Sequence, residues 1–222
     1  MFEGGTLTAL LLLSGLPFVL LATTSFVKLA VVFSALRSAL GAVQVPSGML
    51  VTLLAGLLSA YVMAPVVDAV VLAAAEPARR VDLEHPTAGA SLAALGDVWK
   101  AASTPVRSFL AKHAGERERA MFQRLAQRAR AAGGTAAAST DDDFMVLMPA
   151  FLITELKEAL EIAFIVFLPF LVVELVVANV LAAVGMHMLS AAAVALPFKL
   201  LLFVLVDGWY LLSEALVLSY FR

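Results

Sequence analysis

The sequence contains no cysteine and few charged residues, and each shortage excludes classes of protein. Without cysteine there is no disulfide framework, no thiolate metal site and no cysteine nucleophile. Charged residues make up 14% and hydrophobic residues 62% of the 222 positions. A soluble domain has about 25% charged and about 45–50% apolar residues. This composition is typical of a membrane protein. The formal net charge of -2 is too balanced for a nucleic-acid binder.

The sequence also lacks the motifs on which enzyme chemistry depends. There is no glycine-rich phosphate-binding loop, so any energy that the protein needs would have to come from a separate ATPase or the proton-motive force. His85 and His113 lie in a polar segment with no nucleophile motif or carboxylate pair to support them. We therefore predict that the protein is not an enzyme and has no metal or other cofactor.

The charges are concentrated in the middle of the chain. Residues 76–143 hold ten of the fifteen basic residues and nine of the seventeen acidic ones. The apolar blocks on either side are each long enough for a helical hairpin, because about 20 residues cross a hydrocarbon core. The sequence thus predicts an all-α fold with about four long hydrophobic helices. They form an N-terminal hairpin over 1–75 and a C-terminal hairpin over 144–222, with a polar, mostly helical segment between them.

The N-terminal block predicts two membrane helices. The first covers roughly residues 6–36, bends near Pro17 and carries Lys28. The second covers about 49–75 and contains Pro65, which a helix at membrane depth tolerates. A secretory signal begins with basic residues and ends in a small-residue cleavage site, whereas the only early charge here is acidic. The first helix is therefore predicted to be retained.

Arg37 precedes the turn that joins these helices, and Ser47 is placed to cap the second helix. Basic residues in short loops favour the cytoplasmic side of a membrane. The loop is therefore predicted to be cytoplasmic, which places both termini and the 76–143 segment on the periplasmic side.

The polar segment is predicted to be helical, with breaks at Pro77, Pro86, Pro105 and Gly115. Between residues 116 and 132 a small apolar stripe lies opposite several arginines. Such a helix could lie on an anionic membrane surface, or it could pack its stripe on its own subdomain. A flexible linker is predicted over 133–140. The aspartates at 141–143 suggest either a metal site or, more simply, a cap for the next helix.

Charged residues and His187 interrupt the apolar C-terminal block, where the longest run without any of them has twelve residues. A charge at mid-bilayer costs about 2.5–3.5 kcal/mol on insertion scales, so these helices are predicted not to face lipid on all sides. The charges that we expect within the membrane or between subunits are Lys28, Arg37, Glu155, Lys157, Glu158, Glu161, Glu174, Lys199 and Asp207.

The spacing of these charges limits how they can pair. Glu155, Glu158 and Glu161 recur at intervals of three and therefore share one helix face. The only base in this stretch is Lys157, which can reach only Glu161, four residues further on. Lys199 and Asp207 are eight residues apart, about 12 Å along a helix, and cannot pair with each other. Lys28, Lys199 and Arg37 are candidates to meet the acidic face in the same subunit or another copy. Because breaking a buried pair costs about 3–5 kcal/mol, we predict an obligate assembly.

The loop between the last two predicted helices, residues 184–191, contains Gly185, Met186, His187 and Met188. Methionine is unbranched and repacks against whatever it meets, so these side chains repeated around a symmetry axis could form a deformable apolar plug. Ordinary turn packing is the alternative, and a copper–thioether site is a weaker one.

Several strings in the apolar blocks are distinctive. They are FLITELKEA (151–159), FLPFLVVELVVA (167–178), LPFKLLLFVLVDGW (196–209), ATTSF (22–26) and RSALG (37–41). These strings resemble the SctR/FliP family of type III secretion export-apparatus proteins, over about residues 17–68 and 147–219.

The resemblance implies a subunit of the core export gate, through which unfolded secreted proteins cross the bacterial inner membrane. Family members form a pentamer that joins smaller S-type and T-type subunits in a helical cone. A U-type switch protein, a V-type export-gate protein and membrane lipid are further implied partners. Much of the hydrophobic sequence is held in the assembly toward the periplasmic side. A retained first helix favours a virulence-type injectisome over a flagellum.

The resemblance also implies a role for the loop. In the family this loop usually reads Met-Gly-Met-Met-Met and closes the pore as a methionine gasket. Gly185, Met186 and Met188 match that pattern, whereas Val184 and His187 depart from it. A ring of charged His187 side chains would repel itself, so we expect a looser seal at low pH.

Two other function classes fit parts of the sequence. Intramembrane acids and bases also mark the routes of ion-coupled small-molecule transporters, although the two apolar blocks share no visible internal repeat. A non-conducting membrane scaffold is the third class. A large heteromeric complex with several copies of the chain would favour the export gate, and a monomer or dimer would favour a transporter.

Overall fold

In a computed structural model, residues 21–41, 46–81, 89–131 and 143–221 are described, and within them every regular element is a helix. The predicted all-α fold class is therefore confirmed. The helices are α1 (Phe26–Leu40), α2 (Gly48–Ala78), α3 (Gly89–His113), α4 (Glu116–Ala131), α5 (Phe144–Ala183), α6 (Ala191–Leu205) and α7 (Gly208–Leu218). Four predicted features lie outside the described residues: the bend at Pro17, the break at Pro86, the linker 133–140, and the aspartates at 141 and 142.

The second helix of the N-terminal block forms close to its predicted position, but the first does not form as one helix over 6–36. Residues 23–25 interrupt it, so α1 begins at Phe26 and ends at Leu40, and residues 6–20 lie outside the described part of the chain. Gly41 adopts a left-handed conformation with φ 71°, and its N–H donates to Ser38 O at 3.1 Å, which ends α1. The Ser47 hydroxyl accepts the Leu50 N–H at 3.3 Å, so the predicted cap of α2 is confirmed. α2 then continues through Pro65 for 31 residues.

Of the proline breaks predicted for the polar segment, the one at Pro77 is present and the one at Pro105 is absent. α2 ends at Ala78, one residue after Pro77, whereas α3 runs through Pro105 without a break. The Ser103 and Thr104 hydroxyls both donate to Lys100 O, at 2.9 and 3.0 Å, in the turn before that second proline. Pro105 lacks the N–H that would bond Ala101 O, and these hydroxyls bond the preceding carbonyl, so they do not replace the lost bond. The break predicted at Gly115 is present, between α3 and α4.

The prediction of one continuous last helix is wrong, because this part of the chain forms two helices. α6 ends at Leu205 and α7 begins at Gly208, and their axes are bent by 60°. Asp207 between them has φ 50° and ψ 51°. A residue in this left-handed conformation cannot continue a right-handed helix, so the chain changes direction there. In contrast, α5 is one continuous helix of 40 residues.

The chain divides into two compact units. The first contains the described residues of Met1–Thr24 and Met63–Glu155. Its core includes Leu110 and Leu147, and the Phe109 and Phe151 rings lie 5.7 Å apart. The Gly115 N–H in this unit donates to Thr154 Oγ1 at 2.9 Å, which fixes the turn between α3 and α4.

The second unit contains the described residues of Ser25–Val62 and Leu156–Arg222. Its buried apolar core is built mainly by α1, with contributions from the other helices of the unit. The core residues are Leu29, Val32, Phe33, Leu36, Ala39, Leu40, Val51, Ala55, Ala159, Phe170, Phe203, Leu212 and Leu216.

Two described helices, α2 and α5, are long and apolar enough to cross a membrane. The bent pair of α6 and α7 passes the same length and composition test when taken together. The described chain therefore offers two or three membrane spans.

Candidate functional site

A buried ion pair joins α1 to α5 inside the second unit. The Lys28 ammonium lies 2.6 Å from Glu158 Oε2, and only 1% of Lys28 is exposed. The same Nζ lies 4.3 Å from the centre of the Tyr220 ring, at a distance suited to a cation–π contact. Glu158 is about half exposed. The acidic face of α5 thus receives one of the three bases that the sequence analysis proposed for it.

A second ion pair joins α6 to α5. Lys199 Nζ lies 2.6 Å from Glu174 Oε2 and also donates to Ala39 O at 3.1 Å. Ala39 belongs to the last turn of α1, where carbonyl groups have no partner within the helix and the helix dipole is negative. One ammonium therefore connects three helices. Its carboxylate is Glu174, which lies beyond the acidic face that the sequence analysis proposed as its partner.

The other predicted charges have different surroundings. Arg37 is half-buried in the last turn of α1, beside Gly48. Its positive charge is favourable there, because the C-terminal end of the helix dipole is negative. Glu155 is buried. Lys157, Glu161 and Asp207 are exposed.

The two buried lysines bear on the assembly predicted from unpaired charges. Lys28 and Lys199 each find a carboxylate within the chain, so their burial does not by itself require a second subunit. The need for neighbours rests instead on apolar surface. Only 11% of the most apolar 18-residue stretch of α5 is buried, and Phe164 and Ile165 are largely exposed. A surface of this kind has to be covered by lipid or by other proteins.

The loop between α5 and α6 has a defined backbone. Gly185 has φ 78°, the Met186 N–H donates to Leu181 O at 2.9 Å, and the Gly185 N–H donates to Ala182 O at 3.1 Å. These two bonds form a Schellman motif, which ends α5 at a glycine in the left-handed region. On the other side, the Ser190 hydroxyl accepts the Ala193 N–H at 3.4 Å and caps α6.

The apolar side chains of this loop project from the chain. Met188 is 98% exposed and Met186 is 45% exposed, and His187 between them is also exposed. Ordinary turn packing would bury these methionines against their own chain, and the chain does not bury them. Within the described residues no group of three or more His, Asp or Glu side chains is arranged to hold a metal ion. Asp143 Oδ1 accepts the Met145 N–H at 3.2 Å, as expected for a residue that caps α5.

Two contacts near the ion pairs were missed in the sequence. The Ser25 and Ser59 hydroxyls are both buried and lie 3.1 Å apart, joining α1 to α2. Tyr220 is buried against Lys28. Serine is common throughout membrane helices, and a tyrosine 192 positions away shows no local pattern, so no sequence signal marked either contact.

Comparisons with known proteins cover nearly the whole chain. The sequence profile of the FliP family matches residues 9–216. The chain is 42% identical to the Pathogenicity-related ORF2 protein of Xanthomonas campestris pv. glycines, over 96% of this chain and 95% of that protein. It is 41% identical to the Yop proteins translocation protein R of Yersinia pestis, over 98% and 96%. It is also 41% identical to the flagellar biosynthetic protein FliP of Caulobacter vibrioides, over 95% and 73%. This chain therefore belongs to the FliP family.

Proposed function

We propose that this protein is a core subunit of a type III secretion export gate, where it helps to form the conduit for unfolded proteins. Loop 184–191 acts as an apolar gasket that closes this conduit. Relatives named for secretion, translocation and flagellar biosynthesis support a role in a secretion apparatus. The observation that carries the gasket role is the methionine loop, whose backbone is fixed while Met188 is 98% exposed.

The proposal includes the assembly and its place in the cell. Copies of the chain form a pentamer with S-type and T-type subunits in the bacterial inner membrane, largely on its periplasmic side. The exposed apolar surface of α5 supports close packing with neighbours. The chain has a structural role, and its two buried ion pairs hold helices together.

Replacing both loop methionines with alanine tests the gasket. Met186→Ala with Met188→Ala removes the soft apolar side chains that fill the closed pore, while Gly185 and Ser190 still fix the loop backbone. We expect ion conductance of the closed complex to rise about tenfold or more, at unchanged assembly. Conductance is measured with the intact complex reconstituted in planar bilayers, and leakage is measured in cells.

Two exposed methionines elsewhere provide the matched control. Met49 and Met145 are 73% and 74% exposed but lie at the first turns of α2 and α5. The double variant Met49→Ala with Met145→Ala removes the same chemistry and is expected to leave conductance unchanged. Equal conductance in the loop variant, the control variant and the parent protein would exclude the gasket.

The departure at His187 predicts a pH-dependent seal. Five copies of this exposed imidazole would repel one another once protonated, because like charges on a shared axis are brought close together. We expect the conductance of the closed complex to increase as the pH falls from 8 to 5, and His187→Met to remove this dependence. A flat profile in the parent complex would contradict the prediction, since the histidine would then not face its symmetry mates.

A further inference from the structure

Loop 184–191 carries soft donor atoms side by side and few hard ones. Met186, His187 and Met188 are consecutive and supply two thioether sulfurs and an imidazole. The other side chains of the loop are apolar except that of Ser190, whose hydroxyl already caps α6. Calcium and magnesium prefer oxygen ligands, whereas thioethers select soft ions such as Cu(I). The donor set of the loop therefore favours a soft monovalent ion.

The backbone brings these donors into one short turn. The Leu189 N–H donates to Met186 O at 3.4 Å, which closes a turn with His187 and Met188 at its two corners. Consecutive Cα atoms are about 3.8 Å apart, and a methionine side chain has three rotatable bonds. Both sulfurs and the imidazole can therefore reach a single ion without a change in the backbone, which is fixed at both ends of the loop.

The chain leaves the three donors accessible. Met188 is 98% exposed, Met186 is 45% exposed and His187 is exposed. Met49 and Met145 are also exposed, but their immediate neighbours in the sequence carry no sulfur or imidazole. The loop therefore combines exposure with adjacent soft donors, and those two helical positions do not.

We propose that loop 184–191 binds Cu(I), with the Met186 and Met188 thioethers and the His187 imidazole as its ligands. The inference rests on the proposed gasket only for its effect on the conduit, since one copy of the turn already supplies three ligands. In the pentamer five copies of the loop meet at the axis, so bound ions add coordination to the apolar contacts between neighbouring loops. Cu(I) is then a ligand that favours the closed gasket, and not a cofactor that the fold requires.

Titration of the intact purified complex with Ag(I), a redox-inert analogue of Cu(I), tests the site. Calorimetry in chloride-free buffer measures Ag(I) binding, and competition with a coloured chelator measures Cu(I) binding. We expect saturable binding of both ions. Met186→Leu with Met188→Leu is expected to weaken it at least tenfold, because leucine keeps the apolar volume of methionine but removes the sulfur.

Two thioethers outside the loop provide the matched control. Met49→Leu with Met145→Leu removes exposed sulfurs from the first turns of α2 and α5 and is expected to change the affinity for Ag(I) by less than about twofold. X-ray absorption of the Cu(I)-loaded parent complex is expected to show sulfur ligands. Equal affinity for Ag(I) in the parent complex and the leucine loop variant would overturn the proposal, as would copper bound without sulfur.

The conductance of the closed complex separates this inference from the gasket. We expect Ag(I) to lower the residual conductance of the parent complex at least twofold and to leave that of the leucine loop variant unchanged. If the alanine variant of the same two positions sealed as well as the parent complex, the gasket would be excluded while the metal site would still be supported by binding. If Ag(I) bound the parent complex but lowered both conductances equally, its effect on the conduit would not come from the loop.

Discussion

Glu174→Gln is expected to destabilise the protein by about 2–3 kcal/mol, because it leaves the buried Lys199 ammonium without its counter-charge. Removing one partner of a buried pair costs more than the pair contributes, since the remaining charge has no access to water. The value lies below the usual range because the Glu174 side chain is 37% exposed and the Ala39 carbonyl still accepts from Lys199. The midpoint of thermal unfolding in detergent measures the loss.

The order of three variants distinguishes this explanation from a general loss of packing. Lys199→Met is expected to cost less than Glu174→Gln, because water can solvate the partly exposed glutamate that remains. The double variant Lys199→Met with Glu174→Leu is expected to be the closest of the three to the parent protein, because it leaves no unpaired charge. If Lys199→Met proved the most costly of the three, the stability would come from the lysine stem and not from its charge.

Gly208→Ala is expected to destabilise the bend between α6 and α7 by about 2 kcal/mol, the usual cost of overpacking a core. A methyl group at this position would overlap the Phe203 ring. That ring is 6% exposed and is held by Trp209 and Phe170, so it has little space to move. The thermal midpoint of the purified protein is expected to fall by several degrees.

Two further variants test whether the Phe203 ring causes the loss. Gly56→Ala changes a glycine inside α2 that has no atom near the added methyl group, and it is expected to stabilise the helix by about 0.5–1 kcal/mol. Phe203→Leu combined with Gly208→Ala is expected to cost less than the sum of the two single changes, because the smaller side chain leaves room for the methyl group. Additive losses would show that Gly208 acts through the backbone alone.

The sequence predicted the helices whose signals are local. The caps at Ser47 and Asp143 and the break at Gly115 follow from neighbouring residues, and each is present. The bend at Asp207 was missed although Asp207 and Gly208 form a common turn dipeptide, because the apolar sequence on both sides of it is typical of one continuous helix. Pro105 was predicted to break a helix, but α3 continues through it, because local propensity is a weak guide that packing can override.

The charges within the apolar blocks were also predicted where the signal is local and missed where it depends on helix packing. Composition was enough to mark Lys28 and Lys199 as residues that lipid cannot accommodate. Spacing along one helix then indicated the acidic face that receives Lys28, with Glu158 as the residue bonded. The partner of Lys199 is 25 positions away on another helix, so it is set by how the helices pack and carries no sequence signal.

The uninterrupted length of α5 sets a condition on the environment of the protein. Its 40 residues extend about 60 Å at 1.5 Å per residue, whereas the hydrocarbon core of a bilayer is about 30 Å thick. Lying wholly inside that layer would need a tilt of about 60°, beyond the 0–40° over which spanning helices are found. Roughly half of this helix therefore has to lie outside the hydrocarbon core if the protein spans a bilayer. The chain itself covers part of that half, because Leu147 and Phe151 near the start of α5 are buried in the first unit, and the length of one helix thus explains why the chain has a second compact unit.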